Sequence, residues 1–157
     1  IYFMALSKLT SMRSKDPNTQ VGAGIGSPEH KILSIGYNVE PRGIDDDYFP
    51  WARSGNPLHT KYMYVCHAEM NAISNYNGPR SDFDGSTLYV DLFPCNECAK
   101  LIIQAGIKNV VYLSDKYANT EGNIASKRLF DLAGVNYRPL EEEHQKTITL
   151  SLNAKDK

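Results

Sequence analysis

The stretch Thr87-Leu88-Tyr89-Val90-Asp91-Leu92 runs into Phe93-Pro94-Cys95-Asn96-Glu97-Cys98, and the chain continues through Ala105-Gly106-Ile107-Lys108 to Val110-Val111-Tyr112-Leu113. The opening six residues form a short run of mainly apolar and aromatic side chains bounded by a proline, so they predict a strand. Apolar residues then recur at helical spacing over about 95–105, and Gly106 stands where such a helix would stop. Val110 to Leu113 restarts the chain as a strand. A strand, a helix and a second strand in this order form a crossover unit, with parallel strands and a right-handed connection.

The same alternation extends outward from this unit. Downstream, a helix over about 123–133 ends at Ala133-Gly134 and is followed by a strand from Val135 to Arg138. Upstream, a helix over about 67–77 precedes the first strand. Residues 38–65 lose all periodicity. They hold prolines, glycines, the run Asp45-Asp46-Asp47 and scattered aromatics. At that length the segment reads as a functional excursion or as one containing short helical turns. Before it, Val21 to Ile25 and Lys31 to Tyr37 flank Ser27-Pro28-Glu29-His30 as a hairpin. Phe3, Met4, Leu6, Leu9 and Met12 predict an opening helix over 2–14, ended by the turn chemistry of Asp16-Pro17-Asn18-Thr19. Thr147 to Leu150 reads as a further edge strand, with a disordered tail over 144–157 as the alternative.

The chain has 157 residues, which suits a single domain over 1–157 with one core. Seventeen Lys and Arg against eighteen Asp and Glu give a net charge of −1, too little basic surplus to bind nucleic acid through its phosphates. No apolar run approaches the roughly 20 residues of a membrane span. The opening Ile1-Tyr2-Phe3-Met4 turns polar within a few residues, so no secretory leader is read there. Three cysteines, two of them as C-x-x-C, argue for thiols used in chemistry or metal binding, as in a cytoplasmic chain.

Two segments carry the chemistry: Cys66-His67-Ala68-Glu69 and Pro94-Cys95-Asn96-Glu97-Cys98. Cys95 and Cys98 lie three apart at the start of a helix, so both sulfurs share one face. The helix N-terminus also favours thiolate over thiol. With His67 they make one nitrogen and two sulfur donors, a set that suits Zn²⁺ and leaves the fourth tetrahedral position to water, as in a catalytic zinc site. Cys66 is read as a small buried hydrophobe, since adjacent side chains do not face one point. Glu69 follows His67 by two, and residues two apart on a helix face away from each other. Both address one site only if His67 stands in the non-helical entry turn. From there Glu69 is a general base for a water acidified by the metal. A redox C-x-x-C pair is disfavoured by the nearby His-Ala-Glu. H-x-E followed by P-C-x-x-C is the signature of zinc nucleobase deaminases.

On these residues the chain resembles the cytidine deaminase superfamily, and within it the deoxycytidylate deaminases. The resemblance extends to the run from Arg13 through Asp16-Pro17-Asn18-Thr19 to Ala23, to Tyr64-Val65-Cys66-His67-Ala68-Glu69, to the run Phe93 to Lys108, and to Ser114-Asp115-Lys116-Tyr117. It implies an α/β, three-layer α/β/α fold with a five-stranded mixed sheet flanked by helices, in agreement with the order of elements above. It implies hydrolysis of dCMP to dUMP and ammonia, which supplies dUMP for thymidylate synthesis. A zinc-activated water attacks C4, Glu69 protonates N3 and then the departing amine, and the backbone after His67, at Ala68, holds the base. Asn38 is the implied partner of the sugar 3′-hydroxyl. Ser14, Lys15 and Tyr117 are candidates for the phosphate, with Arg13 a weaker one because it can face outward.

The family usually reads Gly-Tyr-Asn-Gly where this chain has Gly36-Tyr37-Asn38-Val39, followed by Glu40-Pro41-Arg42-Gly43. In relatives that region binds dCTP with Mg²⁺ as activator and dTTP as inhibitor, so Tyr37, Val39, Arg42 and Gly43 are the candidate effector residues. Val39 puts this regulation in question, because a valine takes a positive φ with difficulty. A homo-oligomer, a hexamer in animal relatives, is also implied. His30, His59 and His144 read as solvated, and so do the aspartate run and Glu141-Glu142-Glu143. The aspartate run could also meet an effector's magnesium. Tyr48, Phe49 and Trp51 read either as a lid or as packing under the excursion. The competing functions are a deaminase of a nucleoside, a free base or a base within nucleic acid, and a zinc module without catalysis.

Overall fold

The structure, a computed structural model, describes residues 1–155; Asp156 and Lys157, the end of the expected 144–157 tail, lie outside the described residues. The opening helical period folds as α1 (Tyr2–Ser11). The hairpin forms β1 (Gly22–Gly26) and β2 (Ile32–Tyr37). The alternating half supplies α2 (Ala68–Ser74), β3 (Thr87–Leu92), α3 (Asn96–Ala105), β4 (Asn109–Ser114), α4 (Glu121–Ala133) and β5 (Asn136–Pro139). Strand order is β2-β1-β3-β4-β5. β1 is antiparallel to both β2 and β3, whereas β3, β4 and β5 are parallel, so the sheet is mixed as expected. Both crossover helices end on glycines in the left-handed conformation, Gly106 (φ 90°) and Gly134 (φ 70°), where the sequence placed their stops.

Strand side chains alternate between two helical layers. Ala23, Ile25, Leu88, Val90 and Val110 pack with Ala68, Ala72, Ile102 and Phe130 of α2, α3 and α4. Each fully buried Leu, Ile, Val or Phe contributes about 1.5–3 kcal/mol. On the other face Met4 of α1 packs with Val111, Leu140, Tyr89 and Leu113. There Ser7 Oγ donates to the Tyr89 carbonyl at 2.9 Å and ties α1 to β3.

The excursion contains three short 3-10 turns, Asp46–Tyr48, Pro57–His59 and Lys61–Met63. It is braced internally by the Lys61 N–H on the Ala52 carbonyl (3.0 Å) and laced back to the body by Asn18 Nδ2 on the Trp51 carbonyl (3.4 Å). Phe49 is buried, with its ring centroid 4.5 Å from that of Trp51, while Tyr48 is exposed. The expectation of an edge strand at Thr147 to Leu150 is corrected: no strand forms there among the described residues. Ile148 and Leu150 instead line a groove together with Met4, Ala5 and Leu9 of α1 and Leu113 of β4. No described helix is long and apolar enough to cross a membrane.

Candidate active site

Two helix entries converge on one point. Val39 and Cys66 exchange backbone hydrogen bonds, with Val39 N to Cys66 O at 3.1 Å and Cys66 N to Val39 O at 2.9 Å, in an isolated antiparallel bridge. Val39 does not take a positive φ, so the valine sits there without strain. The bridge holds the chain extended up to His67, which is the N-cap of α2 with φ −70° and ψ 155°. Because His67 precedes the first helical turn, its ring and the Glu69 carboxyl converge despite their two-residue separation. Across from it, Cys95 is the N-cap of α3 and Cys98 lies in the first turn, buried. The Phe93 N–H bonds the Ser114 carbonyl at 2.8 Å and fixes the end of β3 just before them.

His67 Nδ1 lies 3.5 Å from Cys95 Sγ and 3.5 Å from Cys98 Sγ. A tetrahedral zinc with bonds of about 2.3 Å to sulfur and about 2.05 Å to nitrogen requires an N···S edge of about 3.6 Å, so the three atoms fit that ion. Among the described residues no fourth His, Cys, Asp or Glu atom joins the group. Cys66 stays outside it, and burial pushes its thiol pKa up. Within the group the Cys95 thiol is drawn down to about 4, first by the Cys98 thiol and, against burial, by His67. The imidazole of His67 is raised to about 9, chiefly by Cys95, and Cys98 is raised by the thiolate beside it and by burial. The site thus favours an ionised sulfur, as metal ligation needs. Glu69 is 5% exposed, and burial is the main cause of its raised pKa.

His67, Ala68, Glu69 and Cys95 line a cavity of about 340 Å³, within the size range of small-ligand sites. Asp16, Asn38 and Lys61 form part of its wall, with Phe93, Tyr117, Thr120 and Asn123 also lining it. Asn38 Oδ1 accepts from the Val21 N–H at 2.8 Å, while its Nδ2 donates to the Thr19 carbonyl (2.9 Å) and to Asp16 Oδ2 (3.3 Å). Lys61 Nζ makes a very close ion pair with the same carboxylate.

A family model, the cytidine and deoxycytidylate deaminase zinc-binding region, matches residues 1–114. The chain belongs to the cytidine and deoxycytidylate deaminase family. It is 55% identical over 148 residues to the deoxycytidylate deaminase of Mus musculus, covering 94% of this chain and 82% of that one. It is 57% identical over 138 residues to the Homo sapiens deoxycytidylate deaminase, covering 87% and 76%. The crystal structure of dCMP deaminase from cyanophage S-TIM5 in complex with dCMP and dUMP superposes with a TM-score of 0.68 at 25% identity, covering 88% and 94%.

The His67, Cys95 and Cys98 group falls within the region matched by the family model, and Asn38, Ala68 and Tyr117 line the cavity beside it. The other expected residues lie apart. Ser14 is buried, its Oγ accepting from the Asp16 N–H at 3.2 Å, so it shapes the turn that carries Asp16. The Lys15 ammonium lies 3.7 Å from Asp46, and the Arg13 guanidinium stacks 5.2 Å from the Tyr37 ring centroid. None of these three lines the cavity, and neither do Tyr37, Val39, Arg42, Gly43, Tyr48, Phe49 or Trp51. Lys61, Arg53, Tyr62, Thr120 and Asn123 were not foreseen. Only Thr120-x-x-Asn123 left a readable signal, as a capping residue three before a helical amide; Thr120 Oγ1 accepts from the Asn123 N–H at 3.3 Å.

Proposed function

We propose that this chain is a zinc-dependent hydrolase that converts dCMP and water to dUMP and ammonia. The observation that carries the reading is the meeting of one imidazole and two sulfurs at a zinc-sized spacing, with the Glu69 carboxyl buried against the same small cavity. Family membership supports it. His67, Cys95 and Cys98 are the residues that would hold the ion. Zinc, when bound, supplies a Lewis acid that brings the pKa of water to about 7.

The chain's own residues do the rest. Glu69 takes a proton from the attacking water and gives it to N3 of the cytosine ring, then carries the second water proton to the exocyclic amine. Oxygen is gained at C4, the C4–N bond breaks, the first proton stays on N3 of the product ring, and ammonia leaves with the second. Ala68, 1% exposed at the first turn of α2, presents its backbone to the base. Asn38 meets the sugar 3′-hydroxyl through the remaining lone pair on Oδ1, and the Tyr117 hydroxyl is a donor for the nucleotide's outer end. Ser14 orders the Asp16 turn, Lys15 fastens the excursion to it through Asp46, and Arg13 lies against the Tyr37 ring of β2.

The same proposal includes dCTP, with Mg²⁺, and dTTP as effectors at Tyr37, Val39, Arg42 and Gly43. It is supported by the Val39–Cys66 bridge, which links that segment to the residue before His67, and by the buried oxygen Glu40 Oε2, which has no partner among the described residues. Assembly into a homo-oligomer, a hexamer by the resemblance, and a cytoplasmic location complete it. The test is turnover of dCMP, deoxycytidine and a single-stranded oligonucleotide by the zinc-loaded protein. A dominant rate on dCMP is expected. Equal or faster turnover of either alternative would overturn the reading.

A further inference from the structure

Among the described residues two cations, Arg53 and Lys61, line the cavity, and only one of them is free to meet an anion. Lys61 is buried and already paired with Asp16. Of the cations nearby, Lys127 lies 2.6 Å from Asp115, Lys15 sits beside Asp46 outside the cavity, and Lys116, also outside the cavity lining, lies with its Nζ 5.1 Å from the Tyr117 ring centroid. Arg53 is exposed, lines the cavity, and has no carboxylate within ion-pair distance among the described residues. Its Nε donates to the Tyr62 hydroxyl at 3.4 Å, and the acid that bears on it, Asp16, is neutralised by Lys61.

The backbone just before Arg53 is fixed on two sides. The Trp51 carbonyl accepts from Asn18 and the Ala52 carbonyl accepts from Lys61. The excursion therefore presents a planar guanidinium, the group best matched to two phosphate oxygens at once, over the mouth of the site. Tyr62 and Tyr117 line the cavity beside it and add phenolic hydroxyls. Resting on the nucleotide reading above, we propose that Arg53 grips the substrate's 5′-phosphate and sets the preference for a nucleotide over its nucleoside.

The test compares kcat/KM for dCMP and deoxycytidine in the zinc-loaded parent, Arg53→Gln, Arg53→Lys and Lys15→Ala, with zinc content and melting temperature measured alongside. A parent with no preference for dCMP would overturn the nucleotide reading itself, before any variant is considered. With that preference present, Arg53→Gln is expected to lower the dCMP-to-deoxycytidine ratio by about 10- to 100-fold through KM, the range of a charged hydrogen bond. Arg53→Lys should keep part of the ratio because the charge remains. An unchanged ratio in Arg53→Gln, or a larger fall in Lys15→Ala, would overturn the assignment and give the phosphate to another group. Arg53 is exposed, so the variant is expected to melt with the parent. Parallel losses on both substrates would make Arg53 a support of the loop and likewise overturn it.

Discussion

Gly36 of β2 lies directly beneath α2: a Cβ at that position would stand 2.5 Å from the Ala68 carbonyl oxygen and 2.3 Å from the Ala72 amide nitrogen. These are backbone atoms of the helix that begins with Ala68 and Glu69, so they yield only if the helix moves. Gly36→Ala is expected to cost about 3 kcal/mol, at the upper end of overpacking penalties. Because α2 carries Glu69 and starts at His67, zinc content and kcat should fall together with the melting temperature. Wild-type zinc stoichiometry and activity in a variant that melts early would show that the site tolerates a displaced helix.

Glu69→Gln keeps the shape of the side chain and removes the group that moves protons. A positioned acid–base residue contributes about 10²- to 10⁴-fold, so kcat should drop by at least that much while zinc content stays at the parent value. The metal ligands are untouched, since Glu69 is not among them. Appreciable turnover by the metal-loaded variant would remove Glu69 from the mechanism.

A chelator should abolish activity and lower the melting temperature, because a ligand that binds only the folded state stabilises it, by about 2.7 kcal/mol at a hundredfold excess over Kd. Zn²⁺ should restore both properties. Mg²⁺ should restore neither, since two sulfurs and an imidazole are poor partners for an oxygen-seeking ion. Recovery in magnesium alone would contradict the donor set of His67, Cys95 and Cys98.

The legible parts of this chain are those where a local signal and the tertiary outcome coincide. Thr87 to Leu92 reads as a strand and is one, and Gly106 and Gly134 stop their helices because a left-handed residue is needed there. The His67–Glu69 spacing, unfavourable on a regular helix, itself implied that His67 is an N-cap. Arg53 and Lys61 were illegible for the opposite reason. They sit in an excursion with no period, and their placement depends on ties to Asn18 and Asp16, which lie 33 to 45 residues away from their partners. Thr147 to Leu150 shows the reverse failure: its alternation fits a strand, but an alternating segment extends a sheet only if an edge is offered, and β5 is four residues ending in a proline.

The Asp16–Lys61 pair is buried on both sides, with side-chain exposures of 0% and 8%. Removing one partner of such a pair strands a charge, so Lys61→Met is expected to cost about 3–5 kcal/mol. Asp16→Asn combined with Lys61→Met should recover much of that loss. Burial alone would raise the Asp16 carboxyl, but Lys61 and the N–H groups of Asn18 and Thr19 outweigh it and hold the pKa below its ordinary value of 3.8. A carboxyl depressed on folding gives its stabilisation in full above the unfolded-state value, about 3.9, and loses it as pH falls through the lower folded value. Melting temperatures of the parent should therefore decline below about pH 4, and the double variant should show a shallower decline over the same interval. An identical acid limb in both proteins would place that loss on other carboxylates, and Asp16 would then hold Asn38 and Lys61 in place without contributing to the acid stability of the fold.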